Sequence, residues 1–300
     1  MLEDWIRRFR AGDRLALARL LSLVSRNQQM TEIRAALARP KRRQAATVAV
    51  TGSGGVGKST LVGKSIELLR SRGQSVAVLA CDPQSPLTGG ALLGDRVRMP
   101  QRPDDAGVYI RSLTALEGNE GIADHLDLML DLLDAFGFDR LLVETAGVGQ
   151  VDTAVHKVAD VVVVLLQPET GDDMQWQKAG LLEVADILVV HKADLPRAQK
   201  VEARVRELVN LPGCREVPVL AVSSLKGTGL GELWAAIDAV GRRDPTSGDA
   251  QRELLRLAQR RLGERYWSDP ARFETLLERW RQHDLDDVQA ADEVLRALAQ

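Results

Sequence analysis

The chain has 300 residues, 45% hydrophobic and 27% charged, which excludes a disordered or fibrous protein and exceeds the size at which a single core usually stops growing. Forty basic residues against 42 acidic ones leave a net charge of -2, so no bulk field favours nucleic acid or a membrane surface. The longest apolar run, Val161–Leu166, is too short to span a bilayer, and Met1-Leu2-Glu3-Asp4-Trp5 lacks signal-peptide order. With Cys81 and Cys214 at no metal or disulfide spacing, a cytoplasmic protein is expected.

Residues 1–40 read as a helical extension. Leu17, Leu20, Leu21 and Val24 recur at helical spacing behind Asp13, a residue suited to accept from the first free N–H groups of a helix. A second run, Thr31–Arg39, ends at Pro40, and the basic Lys41-Arg42-Arg43 reads as a solvated linker. From Thr47 short β-branched runs alternate with helical ones: Thr47–Val50, Ser75–Ala80, Val108–Ile110, Leu141–Val143, Val161–Leu166, Ile187–Val190 and Val217–Val222. Helical patterns fill the gaps at Ser59–Arg72, Gly121–Ala135, Asp173–Val184, Val201–Leu208 and Gly229–Val240. Consecutive apolar residues in the strands suit a sheet covered on both faces, so residues 41–245 are expected to form an α/β, doubly wound, mostly parallel sheet. Ligands in such folds sit beyond the carboxyl ends of the strands. After the turn-rich Asp244-Pro245-Thr246-Ser247-Gly248-Asp249, residues 246–300 read as a second helical extension whose apolar stripes must pack on the main domain or on another subunit.

The first strand runs into Gly52-Ser53-Gly54-Gly55-Val56-Gly57-Lys58-Ser59-Thr60, the P-loop pattern. Glycines let successive N–H groups turn inward around phosphates, and the following helix adds its positive end. Lys58 is expected on the β- and γ-phosphates and the Ser59 hydroxyl on Mg²⁺. Asp82, Asp95 and Glu144 follow strands that face this loop and are the candidate Mg²⁺ carboxylates. Gly147 and Gly149 would let a backbone N–H swing to the γ-phosphate, and Gln150 lies near enough to be considered for positioning water.

His191-Lys192-Ala193-Asp194 follows a late strand and is similar to the Asn-Lys-x-Asp motif of GTPases. A carboxylate at Asp194 accepts from the ring N–H and exocyclic amine of guanine, an arrangement adenine lacks. Lys192 would lay its stem along the ring, and His191 would donate one bond to the base. Ser223-Ser224-Leu225 fits a second base loop, with the Ser224 N–H on the guanine carbonyl.

Three further stretches extend the pattern: Asp82-Pro83-x-Ser85-Pro86-x-Thr88-Gly89-Gly90-x-x-x-Gly94-Asp95, Glu144-Thr145-x-Gly147-Val148-Gly149-Gln150, and Gly171-Asp172-Asp173-x-Gln175 with Lys178. With these and the opening Arg10-Ala11-Gly12-Asp13-Arg14, nearly the whole chain resembles the MeaB/ArgK GTPases that accompany adenosylcobalamin-dependent acyl-CoA mutases such as methylmalonyl-CoA mutase. The resemblance implies a GTPase chaperone that binds GTP, GDP and Mg²⁺, gates cobalamin delivery to its mutase, and dimerises through the C-terminal helices. It implies Mg²⁺ ligation by Ser59, Asp82, Asp95 and Glu144, and a third switch at Gly171–Asp173. Basal turnover is expected on the order of 10⁻⁴ to 10⁻² per second, raised by the mutase. His191 in place of Asn, Pro168-Glu169-Thr170 before Gly171, and Trp176 where Gly is common depart from the family pattern. Two other readings are an ATPase of the partitioning or cofactor-insertion type, whose extra P-loop lysine is replaced here by Ser53, and a kinase acting on a transport-binding protein.

Overall fold

A computed structural model describes residues 1–37, 43–83, 105–115, 125–147, 155–156, 158–168, 184–211, 215–242 and most of 255–299. The chain divides into two compact units, Met1–Arg243 and Asp244–Gln300. In the first, α1 (Leu2–Arg10), α2 (Arg14–Ser25) and α3 (Met30–Ala36) precede β1 (Ala46–Gly52) and α4 (Lys58–Ser71). There follow β2 (Val76–Pro83), β3 (Val108–Ala115), α5 (Leu126–Phe136), β4 (Arg140–Glu144), β5 (Val161–Leu166), β6 (Ile187–His191), α6 (Ala198–Val209), β7 (Val219–Val222) and α7 (Leu230–Val240). The second unit contains α8 (Glu274–Arg281), entered through a 3₁₀ turn at Pro270–Phe273, and α9 (Asp287–Ala299). Among the described residues no helix is long and apolar enough to cross a membrane.

The strands form one sheet in the order β3-β2-β4-β1-β5-β6-β7, and every neighbouring pair is parallel. Successive side chains of a strand point to opposite faces, and here each face is buried by its own set of helices. Ala49, Leu141, Val143, Val162, Val164, Leu188 and Val190 pack with α2 and α5 on one side. Val48, Val50, Leu142, Val161, Val163, Ile187 and Val189 pack with α4 and α7 on the other, around the buried Trp234. This double burial explains why the strands read as unbroken apolar runs.

The N-terminal helices belong to the sheet's own unit. Leu17, Leu20, Leu21 and Val24 are buried in the core that α5 shares with the sheet. Asp13 caps α2 by accepting from the Leu15 and Ala16 N–H groups at 2.8 and 3.3 Å. Arginines fasten the layer at its edges. Arg14 donates to the carbonyls of Ala106 and Val108, Arg111 donates to the Ala18 carbonyl at 3.2 Å, and Arg34 pairs with Asp127 at 3.0 Å. Arg43 is no solvated linker residue: its guanidinium reaches Asp131 at 2.9 Å and the carbonyls of Val158 and Asp127.

β2 and β3 run furthest past the carboxyl ends of their apolar runs. β2 continues to Pro83 because β3 stays paired beside it through Cys81↔Leu113, Asp82↔Thr114 and Pro83↔Ala115. β3 is an edge strand whose Arg111, Ser112 and Thr114 interrupt the apolar pattern. The last strand is shorter than expected, opening at Val219 rather than Val217. The helical pattern at Asp173–Val184 lies almost wholly outside the described residues, as do Lys41, Arg42 and Cys214.

Candidate functional site

The parallel register gathers the site at one edge of the sheet. β1 delivers the chain at Gly52, and the loop turns through Val56 and Gly57 into α4, which starts at Lys58. Gly54 and Gly55 are exposed, whereas Val56 is fully buried and pins the loop to the core. Lys58 is buried, and its ammonium donates to the carbonyls of Gly52 and Ser53 at 2.9 and 3.1 Å. The Ser59 hydroxyl donates to Glu144 Oε1 at 2.6 Å. Thr60, the last residue of the motif, is exposed.

Glu144 ends β4 and lies in register with Val50 of β1 and Ala80 of β2. Asp82 stands two residues beyond Ala80 on β2, so the two carboxylates end neighbouring strands, β4 next to the phosphate-loop strand and β2 one strand farther out, and both are buried. A hydroxyl and two carboxylates are hard oxygen donors of the kind Mg²⁺ takes alongside phosphate oxygens and water, so the residues fit that ion. Thr145 ties the chain after β4 to β1, its N–H donating to the Val50 carbonyl at 3.2 Å and its hydroxyl lying 3.0 Å from that of Thr51. Gly147 then presses on the loop. A Cβ there would sit 2.2 Å from Lys58 Nζ and 2.8 Å from the Gly52 carbonyl oxygen, and its φ of +70° is one side chains avoid. Asp95, Gln150, Gly149 and the stretch Gly171–Asp173 with Trp176 lie outside the described residues.

The base-side loops meet the phosphate loop from the opposite flank. β6 ends in His191, 3% exposed, and Lys192 turns the chain with a φ of +56°. The Ala193 N–H donates to the Val222 carbonyl at 3.1 Å, fixing this loop to the end of β7. The Ser223 hydroxyl donates to the Asp194 carboxylate in a short bond, and this bond first of all holds Asp194 below the usual carboxylate range. Lys192 Nζ donates to Gln167 Oε1 at 3.3 Å, and Leu225 is 84% exposed beside these groups. His191 departs from its expected role. Its Nδ1 lies 2.7 Å from the Val56 carbonyl and its Nε2 2.7 Å from the Ser224 hydroxyl, so both ring nitrogens meet protein rather than offering a donor to a base. Burial, aided by the Lys192 charge, pushes its pKa below the ordinary imidazole value against the opposing pull of Val56 and Asp194.

Contacts at the site that the sequence does not indicate include Val56 O to His191, Thr51 to Thr145, and Gln167 to Lys192. The first two carry no sequence signal, because one partner is a backbone carbonyl and the other an ordinary strand threonine. Gln167 follows directly on β5, and its place at a strand's carboxyl end is the signal that points to it.

A parallel sheet with a glycine-rich phosphate loop after its central strand, a lysine and serine opening the next helix, and buried carboxylates at the ends of the next two strands on one side defines a P-loop nucleotide-binding protein. The family profile "Methylmalonyl Co-A mutase-associated GTPase MeaB" matches residues 17–268, and the chain belongs to this MeaB family of GTPases. A Pyrococcus abyssi relative is 36% identical over 99% of this chain and 97% of its own length. GTPase ArgK of Escherichia coli is 34% identical over 79% of this chain and 75% of its own. Among solved structures, that of a LAO/AO transport system kinase covers 100% of this chain and 98% of its own with a TM-score of 0.65 at 23% identity, a likeness of fold.

Proposed function

We propose that the chain is a guanine-nucleotide switch that hydrolyses GTP slowly, gates adenosylcobalamin delivery to a B12-dependent acyl-CoA mutase such as methylmalonyl-CoA mutase, and protects that enzyme. The observation that carries the nucleotide part is the junction of the two halves of the site: Ser223 holds Asp194, and His191 links the same loop to the phosphate loop. Asp194 then presents a fixed, ionised acceptor edge to guanine, which offers two donors there, while the Ser224 and Leu225 backbone borders the base. Lys192, oriented by Gln167, covers the ring with its aliphatic stem.

On the phosphate side, amides of Gly54, Gly55, Val56 and Gly57 are the oxyanion donors, and the Lys58 ammonium exchanges its carbonyl contacts for the β- and γ-phosphates. Ser59, Asp82, Glu144 and Asp95 are assigned to Mg²⁺, which when bound offsets charge on the transferring phosphoryl group. Glu144 holds Ser59 in place for that exchange. Gly147, against Lys58, is the point at which loss of the γ-phosphate would release the chain after β4. Gln150 is the residue assigned to orient water.

The family's association with methylmalonyl-CoA mutase supports the partner assignment. Exposed Trp280, Val288 and Leu295 on the C-terminal helices support pairing with a second copy of the chain. The test is copurification of the tagged chain with an acyl-CoA mutase, followed by phosphate release from GTP with and without it. Retention of a mutase that raises turnover is expected; turnover indifferent to every acyl-CoA mutase tried overturns the partner assignment.

A further inference from the structure

We infer that His191 is a positioning residue that locks the phosphate loop and the base loops into one unit through a single tautomer, with Nδ1–H donating to Val56 and Nε2 accepting from Ser224. The inference deepens the guanine-nucleotide reading of this site and rests on it. Its first leg is elementary. A backbone carbonyl only accepts, so the nitrogen 2.7 Å from the Val56 oxygen carries the proton. A neutral imidazole has one such proton, which leaves Nε2 bare and makes the Ser224 hydroxyl, 2.7 Å away, the donor.

The second leg is packing. A Cβ on Gly57 would lie 2.5 and 2.6 Å from the ring's Cε1 and Nδ1, so the ring fills the space a side chain would take at the start of α4. It is also 3% exposed, so losing either partner would leave a buried polar atom unsatisfied. Ring geometry explains why this position accepts histidine. The two nitrogens sit at different depths, so one side chain donates to the phosphate loop and accepts from the loop after β7. An asparagine amide reaches about as far as Nδ1 and no farther. With Ser224 turned to the ring and Ser223 to Asp194, both serine hydroxyls serve the protein, leaving their backbone to meet the base.

Two measurements on the full chain test this. Long-range ¹⁵N–¹H correlation of the imidazoles, with His191 assigned by the signal lost in His191→Asn, should report the Nδ1–H form; an Nε2–H form overturns the inference. GDP affinities of His191→Ala, His191→Asn and Ser224→Ala supply the second. Loss of two buried hydrogen bonds predicts a weakening of about tenfold to thirtyfold for His191→Ala. His191→Asn should recover part of that loss, and Ser224→Ala, harmful alone, should cost nothing more in the His191→Ala background. Additive losses, or unchanged affinity in His191→Ala, contradict the brace. Ser224→Ala removes one oxygen and the tautomer is read on the unaltered chain, so neither depends on His191→Ala folding. A wild-type chain that binds no guanine nucleotide removes the functional reading, while the tautomer still judges the brace.

Discussion

Lys58 and Ser59 stand next to each other in sequence but serve different oxygens: one donates to the loop's own carbonyls, the other to Glu144. Replacing Lys58 by Ala removes a charged donor from the phosphate cradle and should weaken GDP binding by about tenfold to a hundredfold in calorimetry, with the fold intact by circular dichroism. Chelation of Mg²⁺ should weaken GTP binding in the wild type and much less in Ser59→Ala, since the substitution removes the hydroxyl assigned to the ion; equal sensitivity would count against that role. His191 supplies a proton linkage. Its folded pKa lies below the ordinary value of 6.5, so the unfolded chain binds the proton more readily. Its contribution to stability is therefore whole above that value and is lost as pH falls from there toward the folded pKa. Urea midpoints should drop across this window in the wild type, and the part due to the ring should vanish in His191→Asn.

At the scale of elements, the site's residues come to one place because neighbouring strands end together. Much of that was legible: each strand's apolar run and each following polar loop is local, and local patterns survive in a linear reading. What was not legible depends on distance. His191 and Val56 are 135 positions apart, and nothing in either segment signals that a ring on β6 will seat on the phosphate loop. The full length of β3 was hidden for another reason: Arg111, Ser112 and Thr114 look like a loop until α2 is placed above the edge strand to receive the arginine. The N-terminal helices likewise read as an extension, yet they supply core to the sheet. Leu17→Ala, at a fully buried position of α2, should destabilise the first unit by about 2–5 kcal/mol in denaturant unfolding while leaving GDP affinity unchanged in what remains folded.

For the molecule as a whole, we propose a switch whose hydrolysis a partner completes. The proposed phosphate donors and the buried carboxylates Asp82 and Glu144 lie at the sheet edge, whereas Gln150, proposed to orient water, lies outside the described residues. Basal turnover is accordingly predicted on the order of 10⁻⁴ to 10⁻² per second, rising when the cognate mutase is added; fast turnover of the isolated chain would contradict this. The most direct measurement is calorimetric titration of the purified chain with GDP and, separately, ADP in the presence of Mg²⁺, repeated on Asp194→Asn. Binding of GDP with negligible ADP binding, and loss of that preference in Asp194→Asn, is the predicted result. Equal affinity for the two nucleotides, or no heat with GDP, would contradict a guanine site built from Asp194 and the phosphate loop.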